Sequence, residues 1–126
     1  IKNIIFFNCD NILNSYYCDI LNETPTKTYD VIVSNPPYIS LNQISSLEFS
    51  VQHYDPPNAL TDNNDGLTFY KRIHCIADYI LNDHGVIIME FGLSSQVDQI
   101  KDIFKNYKST IYNDLNSDPR VIEFTK

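Results

Sequence analysis

The amino-acid sequence predicts an α/β fold whose sheet is parallel at its start and closes with an antiparallel pair of strands. Three observations carry this. Short β-branched and aromatic runs without alternation, Ile4-Ile5-Phe6-Phe7, Val31-Ile32-Val33 and Val86-Ile87-Ile88-Met89-Glu90-Phe91, read as strands covered on both faces. Between and after the later runs, apolar residues recur at helical spacing. Near the C-terminal end, two alternating segments flank Asn116-Ser117-Asp118-Pro119, the pattern of a hairpin.

Taken in order, the first run ends at Asn8-Cys9-Asp10, and about twenty residues separate it from the second, room enough for the crossover that parallel strands require. The helix signal in that connection is weak, and Asn22 to Thr28, "NETPTKT", reads as loop. The second strand runs into Asn35-Pro36-Pro37-Tyr38. Leu41 to Thr61 is polar and aromatic with another Pro-Pro at Pro56-Pro57, and reads as a long ordered loop with a short helix around Gln43 to Glu48. Loops of that length in compact domains tend to be functional.

Asp62-Asn63-Asn64-Asp65-Gly66 is a turn able to cap the next helix. From Leu67 to Leu81, the apolar positions Leu67, Tyr70, Ile73, Ile76, Ala77, Ile80 and Leu81 form one helical face, closed by Asn82-Asp83-His84-Gly85. The strand from Val86 stops at Gly92. A helix from about Ser94 to Tyr107 shows Val97, Ile100, Ile103 and Phe104 on one side, and Ser109 to Leu115 with Arg120 to Thr125 make the hairpin.

The chain has 126 residues, one domain's worth or less, and its 43% of apolar residues lie in runs too short to span a membrane. Net charge is −7, and the nine Lys and Arg are scattered singly apart from Lys71-Arg72. A nucleic-acid binder normally carries a basic face, and the sequence offers none. The three cysteines, Cys9, Cys18 and Cys75, make no C-x-x-C, and His53, His74 and His84 make no H-x-x-x-H, so neither structural zinc nor a disulfide framework is expected. With no signal-peptide pattern, the expected location is the cytoplasm. The chain opens without Met, just ahead of a core-type strand, which predicts a piece of a longer protein.

In an open α/β sheet, ligands bind beyond the carboxyl ends of the strands. Asp10, the Asn35–Tyr38 turn and Glu90 with Gly92 fall there. Pro36 and Pro37 each lock φ near −65° and remove an N–H, leaving carbonyl acceptors with no neighbouring donors. Asn35 adds a side-chain carbonyl and Tyr38 a flat apolar face. Together they suit a planar –NH2 group held by both hydrogens, with catalysis by orientation instead of by a strong base. The bland alternative is a stiff turn and nothing more.

At these residues the sequence resembles the HemK/PrmC release-factor glutamine methyltransferases. "YDVIVSNPPYIS" is similar to the family's F-D-x-I-V-S-N-P-P-Y-I, "VQHYDPPNAL" to V-x-x-Y-E-P-x-x-A-L, and "NDGLTFYKRI" to D-G-L-x-x-Y-R-x-I. "LNDHGVIIMEFGLSSQ" resembles L-x-x-G-G-x-x-x-x-E-I-G-x-x-Q, and "NDLNSDPRVI" resembles D-x-x-G-x-x-R-V-I. The Asn-Pro-Pro-Tyr motif is shared with many amino methyltransferases; the ordered set is specific.

The resemblance implies a class I S-adenosylmethionine-dependent, Rossmann-like sheet ending in an antiparallel pair. It implies methyl transfer to the glutamine side-chain amide in the GGQ loop of peptide-chain release factors, by a cytoplasmic, monomeric protein with no nucleic acid or membrane partner. By the match, Asn35 and the Pro36 carbonyl would hold the amide, Pro37 would stiffen the pocket and Tyr38 would pack on the amide. Asp10 would accept from the adenine amino group, Asn11 would lie beside it, and Asn35 would border the methionine end of the cofactor.

Without the resemblance, Asp10 reads as a turn former or helix cap. Asp55 replaces the family's Glu one methylene shorter and receives no role, and His84 replaces one Gly of the G-G pair. Glu90 reads equally as a buttress of the loop or an ordinary strand-end carboxylate, and Arg120 as a hairpin ion pair or loop contact.

With three glycines, Gly66, Gly85 and Gly92, the chain shows no glycine-rich cofactor turn and no following acidic residue for the ribose. Residues 1–126 are therefore expected to be the C-terminal part of a catalytic domain, inactive by themselves. The alternatives are an amino methyltransferase acting on adenine or guanine, and a fragment that only binds the release factor.

Overall fold

A computed structural model describes residues 12–126. The expected strand at Ile4-Phe7, together with Cys9, Asp10 and Asn11, lies outside the described residues. Among the described residues four strands form one sheet: β1 (Tyr29–Ser34), β2 (Leu81–Glu90), β3 (Lys108–Asn113) and β4 (Pro119–Thr125), in the spatial order β1-β2-β4-β3. β1 and β2 are parallel, and β4 runs antiparallel to both β2 and β3. The parallel start and the closing hairpin therefore stand as the sequence predicts.

Helix α3 (Thr68–Ile80) connects to β2 and turns Tyr70, Ile73, Ile76, Ala77 and Ile80 inward, with Leu67 and Leu81 buried at its ends. All seven apolar positions expected on that face are in the core. Its start is stabilised from upstream: Asp62 Oδ2 accepts from the Thr68 N–H at 3.0 Å, and Oδ1 accepts from the Asn64 and Gly66 N–H groups. Asp65 Oδ1 accepts from the Leu67 N–H, so orphan donors of the first turn are satisfied by two carboxylates that also suit the helix dipole. Gly66, at φ +80°, makes the reversal that a side chain would oppose.

Helix α4 (Val97–Ile103) follows a 3₁₀ turn at Ser94–Gln96 and ends earlier than its apolar pattern suggests. Phe104 takes φ −98° and ψ 32°, leaving the helix so that its ring can stack on Phe124 at 4.1 Å between centroids. Packing of the two rings overrides the local periodicity.

The core lies on one face of the sheet. Ile87 pairs with Phe124 and Met89 with Ile122, and these four side chains are fully buried against Tyr70, Ile73, Ala77, Ile100 and Phe104. Each contributes on the order of 1.5–3 kcal/mol of transfer free energy. On β1 only Ile32 joins this packing; Val31 and Val33, expected to be covered too, are 52% and 73% exposed within the described residues. Those residues place helices on one face alone.

Between the pairs Tyr29↔Leu81 and Val31↔Val86, β1 advances two residues while β2 advances five, so 82–85 bulges from the ladder. His84 sits there at φ 64°, the left-handed region that glycine favours. The residue that replaces a family glycine thus occupies a position where glycine is the unstrained choice. No helix among the described residues is long and apolar enough to cross a membrane.

Candidate active site

The pair Ser34↔Met89 brings the carboxyl ends of the parallel strands level, so Asn35 leaves β1 beside Glu90, the last residue of β2. From here the Asn35–Tyr38 turn departs from an exposed start to a fixed end. Asn35 is exposed, Pro36 is buried, and Pro37 and Tyr38 are half-buried.

Tyr38 is held at several points. Its hydroxyl donates to Glu90 Oε1 at 3.3 Å, and its carbonyl accepts from Gln96 Nε2 at 2.9 Å. A Cβ on Gly92 would stand 2.6 Å from the ring, and one on Gly66 would stand 2.3 Å from the carbonyl oxygen. Both glycines are thus close-approach positions for one tyrosine. Burial, and then the Glu90 carboxylate, push the Tyr38 phenol above its ordinary value, so it stays protonated and donating at neutral pH. Glu90 itself is fixed through its backbone carbonyl, which accepts from the Tyr70 hydroxyl at 2.6 Å. Of its two sequence readings, buttress is the one the geometry supports.

The far wall comes from the long segment after the turn. A 3₁₀ turn at Leu41–Ser46 stands near the expected short helix, and beyond it come the helical turns α1 (Phe49–Tyr54) and α2 (Pro57–Leu60). The Ile39 N–H donates to the Leu60 carbonyl at 3.0 Å, and Ile39 pairs in parallel with Thr61, joining turn and wall.

Between them lies a cavity of about 260 Å³ lined by Asn35, Pro36, Tyr38, Ile39, Asp55, Pro56, Ala59 and Leu60. Ligand pockets usually run ~300–1,000 Å³, so this is a slot for one side chain and not for a whole cofactor. Among the described residues neither the Asn35 side chain nor the Pro36 carbonyl is engaged in a hydrogen bond.

Three of the expected residues, Asn35, Pro36 and Tyr38, therefore meet at one cavity. Pro37 is beside it without lining it, and Asp10 and Asn11 lie outside the described residues. Asp55, given no role from sequence, lines the slot; its place in Tyr54-Asp55-Pro56 is the available signal. Gln96 carries no signal in periodicity and is absent from the expected site, although it closes the matched stretch "LNDHGVIIMEFGLSSQ". Arg120 realises both of its readings, pairing with Asp114 Oδ2 at 3.3 Å and donating to the Gly92 carbonyl at 2.7 Å.

No family model matches the chain. It is 43% identical over 96 residues to the release factor glutamine methyltransferase of Fusobacterium nucleatum, covering 75% of this chain and 27% of that protein. To the release factor glutamine methyltransferase of Clostridium botulinum it is 35% identical over 130 residues, covering 99% of this chain and 46% of that protein. The chain belongs to the release factor glutamine methyltransferase family. It matches the C-terminal part of that family's members.

The crystal structure of a release-factor-specific protein-(glutamine-N5) methyltransferase from Alicyclobacillus acidocaldarius superposes with a TM-score of 0.50 at 26% identity, over 79% of this chain and 49% of that one. The α/β architecture is thus that of a class I, Rossmann-like methyltransferase. The chain spans between about a quarter and half of the length of these relatives.

Proposed function

We propose that the protein to which this chain belongs methylates the side-chain amide nitrogen of a glutamine in a peptide-chain release factor, the one in its GGQ loop, with S-adenosylmethionine as donor. The reading rests on the slot at the carboxyl end of β1, where Asn35 and Pro36 offer acceptors and Tyr38 offers a face, in a chain of this family. The described residues suit the reacting end of the donor, since Asn35 stands exposed beside the slot. Residues 1–126 would then be the C-terminal part of the catalytic domain, and the protein would act as a cytoplasmic monomer.

A carboxamide nitrogen is a weak nucleophile because its lone pair is delocalised into the carbonyl. The bound cofactor supplies an electrophilic methyl group. The Asn35 side-chain carbonyl and the Pro36 backbone carbonyl accept the two amide hydrogens, which fixes the plane of the group and turns its nitrogen towards the methyl. Tyr38 packs on one face and excludes water. These oxygens also stabilise the positive charge that grows on nitrogen as the N–C bond forms. Among the described residues Asp55 is the only carboxylate lining the slot; once the methyl is transferred the nitrogen is strongly acidic, and its extra proton passes to solvent without a strong base.

An adenine or guanine amino group would suit the same acceptors. The net charge of −7 and the naming of the relatives weigh against it.

The test is to incubate the full-length protein with a release factor and methyl-labelled donor, then map the label by mass spectrometry. One methyl on the GGQ glutamine is expected. Label that persists after this glutamine is changed to alanine would overturn the assignment.

A further inference from the structure

The backbone from Pro36 to Ile39 is determined almost residue by residue. The proline rings set φ at 36 and 37. The peptide group between Tyr38 and Ile39 is then held on both edges: its carbonyl accepts from Gln96 Nε2 at 2.9 Å, and its N–H donates to the Leu60 carbonyl at 3.0 Å. The same Gln96 side chain uses its oxygen to accept from the Gly92 and Leu93 N–H groups, at 3.3 and 3.2 Å.

Gln96 is 7% exposed and stands at the end of the 3₁₀ turn that opens α4. Only a side chain with a donor and an acceptor at its tip can serve a carbonyl on one side and two N–H groups on the other, and only one orientation of the amide does so. An ionised Glu would keep the acceptor and lose the donor. A Met would fill the space and lose both.

We propose that Gln96 is a positioning residue for amide methylation, tying the loop after β2 to the acceptor turn so that Asn35 and Pro36 keep their aim. This deepens the methyl-transfer reading and rests on it. Gln96 does not line the slot that holds Asn35 and Pro36; it acts through the Tyr38–Ile39 peptide. Misplacement of a reacting group by roughly 1 Å costs on the order of 10²-fold, which bounds the effect.

The test compares Gln96→Glu and Gln96→Met with the parent full-length protein. At neutral pH both should lose roughly 10- to 100-fold in kcat. KM for the methyl donor should change by less than about 2-fold, because positioning and not binding is lost. As pH falls towards the range where a partly buried glutamic acid is protonated, somewhat above its ordinary value of about 4.3, Gln96→Glu regains a donor. Its kcat relative to the parent should then rise, while that of Gln96→Met stays low. Parent-like kcat in either variant at neutral pH, or a loss in Gln96→Glu that no acidification relieves, would overturn the proposal.

If the parent methylates no release factor, the methyl-transfer reading fails by itself. The placement of Gln96 is then judged by hydrogen exchange at the Ile39 amide. Exchange accelerated in Gln96→Glu relative to the parent, and restored on acidification, supports it; unchanged exchange overturns it.

Discussion

The two faces of the sheet are finished differently. On one, Ile87, Met89, Ile122 and Phe124 are fully buried beneath α3 and α4; on the other, Val31 and Val33 of β1 remain 52% and 73% exposed within the described residues. The Asn35–Tyr38 turn inherits the contrast, since Asn35 leaves β1 exposed and Tyr38 is fastened to the packed side through Glu90, Gln96, Gly66 and Gly92. On the proposed reading, chemistry and stability are therefore carried by different ends of one short segment.

The sharpest way to test that separation is Asn35→Ala. If Asn35 orients the amide as proposed, its loss should lower kcat by about 10³-fold while leaving the unfolding midpoint unchanged, because the residue is exposed. Methyl transfer and thermal melting measured on the same preparation check both halves. Turnover within a few-fold of the parent would break the comparison.

Ile87→Ala should do the reverse, costing about 3 kcal/mol of stability by denaturant titration through lost burial and a residual cavity. Gly66→Ala comes next. Its φ of +80° and the 2.3 Å approach to the Tyr38 carbonyl should together cost about 1–3 kcal/mol and displace the turn, so stability and kcat fall in parallel.

Asp62 offers a smaller effect with a defined sign. Burial alone would push its carboxyl up, yet hydrogen bonds from Thr68, Asn64 and Gly66 outweigh that and hold it below the ordinary 3.8. The folded state then binds fewer protons than the unfolded one, so this stabilisation is complete above 3.8 and disappears as pH falls through the lower folded value. Melting temperature should drop in that window, and the drop should be shallower in Asp62→Asn. The smallest effect belongs to the open face: Val33→Ala should shift stability by less than about 0.5 kcal/mol.

Legibility in the sequence divides along the same line. The inward face of α3, the β2 run and the closing hairpin are legible because burial imposes a period on neighbouring residues. Asn35, Pro36 and Tyr38 are legible because proline chemistry is local and the strand before them locates the sheet's ligand end. The segment 41–61 reads as loop with one short helix; α1 and α2 leave no trace because no residue of either is buried, so no apolar stripe marks them. Gln96 is hidden for another reason. Its chief partner, the Tyr38 carbonyl, is 58 residues away and belongs to the backbone, which carries no side-chain identity to pattern against. The early end of α4 is likewise set by a distant ring, Phe124.

The join between Ile39 and the Leu60–Thr61 segment has a consequence for what the slot admits. Pro36, Tyr38 and Ile39 form one jaw, Ala59 and Leu60 the other, and a backbone bond of 3.0 Å bolts them together. That bond holds the width of the gap. On the proposed reading, a flat carboxamide passes it edge-on and meets two oxygens that need its hydrogens, whereas a glutamate of the same outline brings only oxygens and is refused. The enzyme would thus sort side chains of the same outline by their hydrogen count.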